Sequence, residues 1–310
     1  MNSIALTTAI AATGLDYDMP ALRDACARIG LHAEVLAWDD LSVSWQRFDA
    51  VLLRSPWDYT ERLSEFLHWC ERVDAVTTLL NPLPVLRWNT DKHYLAELAA
   101  AGIPTVPSSF VEPESEPLPS LQDFLAGHPS AAEFVVKPAV GAGSRDTQRY
   151  ARAQEFAAAN HIGRLLDVGR SVLLQPYLPS VDQDGETALM FFDGVFSHAI
   201  RKGPLLQPDQ GATEALFAAE EIIPRTPGDD EMALAHDVLA TLSRLQRLDA
   251  PLSYARVDLI RDTDGAPRLL ELELCEPSLF FEQAPGSADK FTALLAQRLV
   301  TSPPRRAFAL

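Results

Sequence analysis

Two apolar runs late in the chain carry acids where a buried strand has no ordinary use for them. Tyr254-Ala255-Arg256-Val257-Asp258-Leu259 and Leu269-Leu270-Glu271-Leu272-Glu273-Leu274 both alternate with strand period. Between them lies Arg261 to Pro267, whose Asp264-Gly265 pair is a hairpin turn signal. Side chains alternate across a strand, so Glu271 and Glu273 share a face. If Asp258 points the same way, three carboxylates meet on a surface otherwise built for burial, and such a cluster requires a cation. Oxygen ligands without a nearby His or Cys group suit Mg²⁺ or Mn²⁺, and Mg²⁺ usually arrives with substrate phosphates. The competing reading is an exposed strand face with solvated charges.

At 310 residues the chain is long enough for two or three packed units. A net charge of −17 argues against a nucleic-acid surface, though a local basic pocket for a small anionic substrate remains open. No secretory signal pattern follows Met1, and no apolar run approaches membrane-spanning length, so no membrane partner is expected. Cys26, Cys70 and Cys275 have no metal spacing and fit reduced thiols in the cytoplasm.

The first part alternates strands (Ile4 to Thr8, His32 to Ala37, Ala50 to Leu53) with helices (Pro20 to Ile29, Leu63 to Val73), which predicts a parallel sheet covered by helices. Ligands collect at the carboxyl ends of such strands, where Asp16, Asp18, Arg54, Asp58 and Tyr59 fall. Asp16 and Asp18 also read as turn and cap residues. Thr90 is expected to cap a helix from Asp91 to Ala101, and Glu112 to Pro119 reads as a linker. Strands follow at Glu133 to Pro138 and Val172 to Leu178, with a hairpin across Asp193-Gly194. A helix is expected over Glu231 to Leu248 and another over Ala288 to Val300, before a frayed tail from Pro303.

Cations punctuate this pattern. Lys137 precedes the small-residue loop Val140 to Asp146, where Gly141, Gly143 and Ser144 leave backbone N–H groups free for a phosphate chain. The spacing is neither a P-loop nor a dinucleotide fingerprint, and an ordinary turn reads equally from it. Lys92 sits at a helix start, a position tolerable for lysine when an anion lies opposite. Gln175-Pro176-Tyr177-Leu178 ends a buried strand at a proline, leaving backbone groups for an adenine edge or simply a strand terminus. Glu186 opens the next strand, Arg201 and Lys202 close its hairpin, and Arg256 shares a face with Asp258. A guanidinium there either stabilises charge in phosphoryl transfer or forms a structural ion pair. No nucleophile elbow or catalytic triad appears.

Taken in order, Lys92, Lys137, Gly141-Ala142-Gly143-Ser144, Gln175 to Leu178, Gly185-Glu186, Arg256-Val257-Asp258 and Glu271-Leu272-Glu273 resemble the ATP-grasp superfamily. The resemblance implies an α/β chain: a Rossmann-like parallel-sheet domain over residues 1–90, then two ATP-grasp lobes over 91–180 and 181–310. It implies ATP and Mg²⁺ (or Mn²⁺) as cofactors, Lys92 and Lys137 on phosphates, Gln175 to Leu178 at adenine, Glu186 at ribose, and Asp258, Glu271 and Glu273 on metal. Arg256, Lys202 and Arg201 would act in catalysis, and Arg54, Asp58, Tyr59, Asp16 and Asp18 would hold an amino-acid-like substrate. Many ATP-grasp ligases carry Asn where Glu273 stands. Leu53 to Tyr59 and Glu271 to Pro277 narrow the likeness to ring-closing members, implying carboxylate activation as an acyl phosphate and closure of O-ureido-D-serine to D-cycloserine with loss of CO₂ and NH₃. Intermolecular ligation of an amino acid and a non-catalytic nucleotide-binding module remain the alternatives. A homodimer is implied by analogy.

Overall fold

The computed structural model describes residues 2–208, 211 and 221–301. The expected frayed tail from Pro303 lies outside the described residues. Strands β1 (Ser3–Thr8), β2 (His32–Ala37), β3 (Ala50–Ser55) and β4 (Thr78–Leu80) form a parallel sheet in the order β2-β1-β3-β4. Helices α1 (Met19–Arg28) and α2 (Leu63–Val76) cover it with apolar stripes, Met19, Leu22 and Cys26 on one and Phe66, Trp69 and Val73 on the other. Next come α3 (Leu83–Asn89) and α4 (Tyr94–Ala100). The expected cap at Thr90 is corrected: a proline in the first turn starts α3 early, and Thr90 closes that helix. Asp91 accepts the His93 N–H in a tight turn, which delays α4 to Tyr94.

The second sheet contains β5 (Ser109–Val111), β6 (Glu133–Pro138), β7 (Gln148–Ala151) and β8 (Val172–Pro176), antiparallel in the order β5-β8-β6-β7. Helices α5 (Pro117–Gly127) and α6 (Glu155–Asp167) pack on it. The expected linker from Glu112 to Pro119 is therefore wrong. The chain has already entered this sheet at β5, and Pro117 and Pro119 form the first turn of α5, where a missing N–H costs nothing.

After α7 (Ser180–Asp184), the strands β9 (Glu186–Phe192), β10 (Val195–Lys202), β11 (Ile222–Arg225), β12 (Tyr254–Arg261) and β13 (Pro267–Glu273) build an antiparallel sheet in the order β11-β10-β9-β12-β13. Leu189, Phe191, Val257, Leu259 and Leu272 pack one face against α4 and α8 (Asp229–Leu245). The opposite face is apolar at one end, where Met190, Phe192 and Ile200 meet α9 (Ser287–Thr301). It is charged at the other.

The three sheets fall within residues 1–90, 91–180 and 181–310, but their cores do not stop there. Helix α9 packs on α1, and Thr105 bridges Leu269. The Asn81 side chain donates to Tyr254 O and Leu274 O and accepts the Ser253 N–H, while Asn89 donates to Leu272 O and accepts the Leu274 N–H. The end of the first unit is thus stitched to the edge of the third sheet. Among the described residues no helix is long and apolar enough to cross a membrane.

Candidate active site

The charged end of the third sheet owes its composition to one irregularity. Near the turn, Leu259 pairs with Leu269; one step further, Asp258 pairs with Glu271, and Arg256 with Glu273. Leu270 is the extra residue of a β-bulge. Without it the pairing would place Glu271 opposite Val257, on the apolar face. With it, Arg256, Asp258, Glu271 and Glu273 share one face, joined by Glu186 and Lys202, which pair across β9 and β10. Ala188, opposite Asp258, leaves room for them.

The charges are interlocked. Arg256 Nε donates to Asp258 at 2.8 Å, its Nη2 bonds both Asp258 and Glu273, and Lys202 Nζ reaches Asp258 at 2.8 Å and also bonds Glu186. Lys92 Nζ sits 2.9 Å from Glu271 and 2.8 Å from Gly141 O, while the Lys92 N–H donates to Ala139 O. Burial raises all four carboxyls, and their neighbours decide the outcome. Arg256 and Lys202 hold Asp258 well below the usual carboxylate range despite burial. Lys92 and Lys137 likewise lower Glu271. Burial prevails at Glu273, pushed up to about 8 against Arg256, and at Glu186, pushed up to about 7 against Lys202.

This face floors a cavity of about 670 Å³ between the sheets. Lys92, Lys137, Gly141, Gly143, Ser144, Gln175, Pro176, Tyr177, Leu178, Glu186, Lys202, Arg256, Glu271 and Glu273 all line it, as do Asp16, Asp18 and Tyr59. Lys137 is 8% exposed and forms no ion pair among the described residues; burial lowers it to about 8. Beside it Gly143, Ser144 and Asp146 adopt positive φ, a sharply turned loop tied down by Arg170 to Asp146 and Arg145 to Glu61. Gln175 donates to Ser108, and Tyr177 lies under the Arg149 guanidinium, 3.6 Å from its ring centre.

Four expected site residues do not reach the cavity wall. Asp258 is only 1% exposed and is consumed by Arg256 and Lys202, so it organises cations rather than facing a ligand. Arg201 turns its guanidinium to the Gln183 and Asp184 carbonyls. Asp58 accepts from Trp38 and bonds Arg62. Arg54 is fully buried against Asp16 and Asp18 and donates to Pro277 O. Asp18 lines the cavity, but its carboxylate takes the N–H groups of Leu279, Phe280 and Phe281. Glu186 lines the cavity beside the acid cluster, bonded to Lys202. Trp57, Glu276, Ser278 and Phe280 line the cavity without having been singled out; the only sequence signal was an acid in the apolar stretch Leu274-Cys275-Glu276-Pro277.

Among the described residues no group of three or more His, Cys, Asp or Glu could by itself hold a metal ion. Glu271 and Glu273, half-buried and side by side on the wall, still fit Mg²⁺, which commonly takes one or two carboxylates and completes its shell with phosphate oxygens and water.

The comparisons agree with this arrangement. Residues 4–81 match the model of the D-cycloserine synthetase DcsG N-terminal domain. The chain is 48% identical over 299 residues to cycloserine biosynthesis protein DcsG of Streptomyces lavendulae, covering 96% of this chain and 99% of that protein. The crystal structure of D-cycloserine synthetase DcsG superposes with a TM-score of 0.89 at 48% identity, covering 96% of this chain and all of that one, 100%. D-alanine–D-alanine ligase from Bacillus anthracis, at 15% identity and a TM-score of 0.63 over 97% of each chain, shares the fold. ATP-grasp ligase PsnB complexed with minimal precursor does too, at 21% identity and a TM-score of 0.61 over 96% of this chain and 100% of that one. Close identity along nearly the whole length, on a frame of sheets that the ATP-grasp ligase PsnB shares, has one meaning: the chain belongs to the D-cycloserine synthetase DcsG family.

Proposed function

We propose that the chain closes O-ureido-D-serine to D-cycloserine at the expense of ATP. The observation that carries this reading is the cavity wall itself: the buried cation of Lys137, without an ion pair among the described residues, beside a turned Gly-rich loop, with Glu271 and Glu273 on the same wall, in a chain 48% identical to DcsG. A carboxylate is a poor electrophile until its oxygen becomes part of a phosphate leaving group. The substrate carboxylate attacks the γ-phosphorus of ATP, the bond to ADP breaks, and an acyl phosphate forms. The ureido nitrogen bonded to oxygen then attacks the acyl carbon, loses its proton, and expels phosphate. Hydrolysis of the carbamoyl group releases CO₂ and NH₃. Holding the chain folded for closure can supply at best ~7–11 kcal/mol of barrier lowering.

The roles follow from position. Lys137 and the N–H groups of the Gly141 to Ser144 loop receive phosphate oxygens. Lys92 shares its charge between Glu271 and that loop, so it couples phosphate binding to the acids. Glu271 and Glu273 would hold Mg²⁺, which when bound offsets negative charge on the transferring phosphoryl group. Arg256, fixed by Asp258, faces the same charge, with Lys202 behind it. Gln175 to Leu178 and Ile260 form an apolar slot suited to a nucleobase.

ADP release from purified protein with ATP, Mg²⁺ and O-ureido-D-serine, and no amine acceptor, tests the proposal. Turnover that appears only after a second amino acid is added would instead make it an intermolecular ligase. Chelation of Mg²⁺ is expected to stop the reaction.

A further inference from the structure

The acids lining the cavity are nearly all spoken for. Glu186 bonds Lys202, Glu271 bonds Lys92, and Glu273 bonds Arg256. Asp16 faces Arg54, and Asp18 is filled by backbone N–H groups. Glu282 is exposed and solvated. Glu276 differs from all of these. It is 9% exposed, lines the cavity, and forms no ion pair among the described residues. The groups beside its carboxylate include the Cys275 thiol and the Tyr59 hydroxyl, which burial keeps neutral. Lys92 is near enough to be felt, but its Nζ is already held by Glu271 and Gly141 O. Trp57 donates from its indole N–H to Glu276 O at 3.3 Å, and both Trp57 and Tyr59 line the same cavity.

A buried carboxylate with only neutral donors is costly until a cation arrives, and aromatic faces favour an alkylammonium over a metal ion. We propose that Glu276, seated against Tyr59, binds the α-ammonium group of the amino-acid substrate. This rests on the substrate reading above. It gives the cavity two complementary charges without an ion pair among the described residues: Lys137 for the phosphates of the nucleotide, and Glu276 for the cation of the molecule being closed.

The test compares wild type with Glu276→Gln, a near-isosteric change that keeps hydrogen-bonding capacity. Calorimetric affinities are measured for O-ureido-D-serine and for 3-(ureidooxy)propanoate, which lacks only the amino group, together with the KM for ATP. Wild type is expected to prefer the amino compound by roughly 100-fold. The variant's preference should fall below about tenfold with the KM for ATP unchanged. A folded Glu276→Gln protein that keeps the full preference overturns the proposal. Glu276→Asp, which retracts the charge, reads the same ratio should the glutamine variant fail to fold, and an unchanged ratio there overturns it equally. If wild type neither binds nor turns over O-ureido-D-serine, the reaction assignment fails. D-serine and D-alanine are then titrated against 3-hydroxypropanoate and propanoate. A preference for the amino member that Glu276→Gln abolishes supports the ammonium site, and no preference in wild type sinks it.

Discussion

Lys137 shows how one buried side chain ties pH to both folding and binding. Burial lowers it from 10.5 to about 8. Below about 8 the folded protein carries the charge at a cost. Between about 8 and 10.5 the folded chain holds it neutral while the unfolded chain keeps its proton, so this group makes stability rise with pH across that window. Nucleotide affinity runs the other way, because phosphate needs the charged form. The Kd for ATP should be flat below about pH 7.5 and then weaken by up to about tenfold per pH unit above 8, with Lys137→Arg removing the dependence. Affinity of the wild type that stays constant to about pH 9.5 would take Lys137 out of the phosphate site. The acids separate by their partners. Glu271→Gln gives up a more exposed partner of Lys92 and should cost less stability than Asp258→Asn, while turnover falls by about 100-fold or more. Asp258→Asn removes the anion that two buried cations share and leaves Arg256 only Glu273 and Lys202 only Glu186, so it should lose about 3–5 kcal/mol in denaturant unfolding as well as activity. Equal stability of these two variants would contradict the division of labour between them.

The bulge at Leu270 decides what the hairpin β12-β13 can do. It is one residue long, yet it sets which face Glu271 and Glu273 occupy. Two single deletions distinguish this from ordinary hairpin packing. Removing Leu270 deletes the bulge but keeps Asp258 opposite Glu271, so the protein should fold with reduced stability and retain measurable ADP release. Removing Leu272 brings Glu273 opposite Val257 on the apolar face. That variant should unfold or melt far lower, since an unpaired buried carboxylate costs several kcal/mol. The reverse ranking by thermal melting and turnover would show that the bulge is not what selects the face. Loop chemistry works at the same scale: Pro117 started a helix where composition alone read as a linker, because proline suits a first helical turn as well as it suits an extended chain.

Across the whole molecule, the first sheet and the third share an apolar core through α1 and α9 and are locked further by ionic and polar contacts. Asp18, at the end of the loop after β1, accepts three backbone N–H groups from Leu279, Phe280 and Phe281, and Arg54 grips Pro277 O. Asp18→Ala should therefore cost about 3–5 kcal/mol, measured by denaturant titration, by stranding those three N–H groups and leaving Arg54 only Asp16 as a counter-charge. A loss of substrate affinity with unchanged stability would restore Asp18 to the ligand. From sequence, Asp16, Asp18 and Arg54 could be placed at the strand ends where ligands gather, but nothing along the chain reveals that a segment more than two hundred residues later uses up their charges. Short-range order was legible: strand period, helix periodicity and turn residues yielded the parallel sheet, the hairpins and the ordered set of cations and acids. Local sterics and burial encode those within a few residues. Which of the charges pair with one another and which are left for a ligand was decided only in three dimensions, because ion pairing depends on distances set by a bulge and by strands drawn from opposite ends of the chain. Among the described residues Lys137 and Glu276 are left without an ion pair, and Asp258 and Arg54 are spent, for that reason.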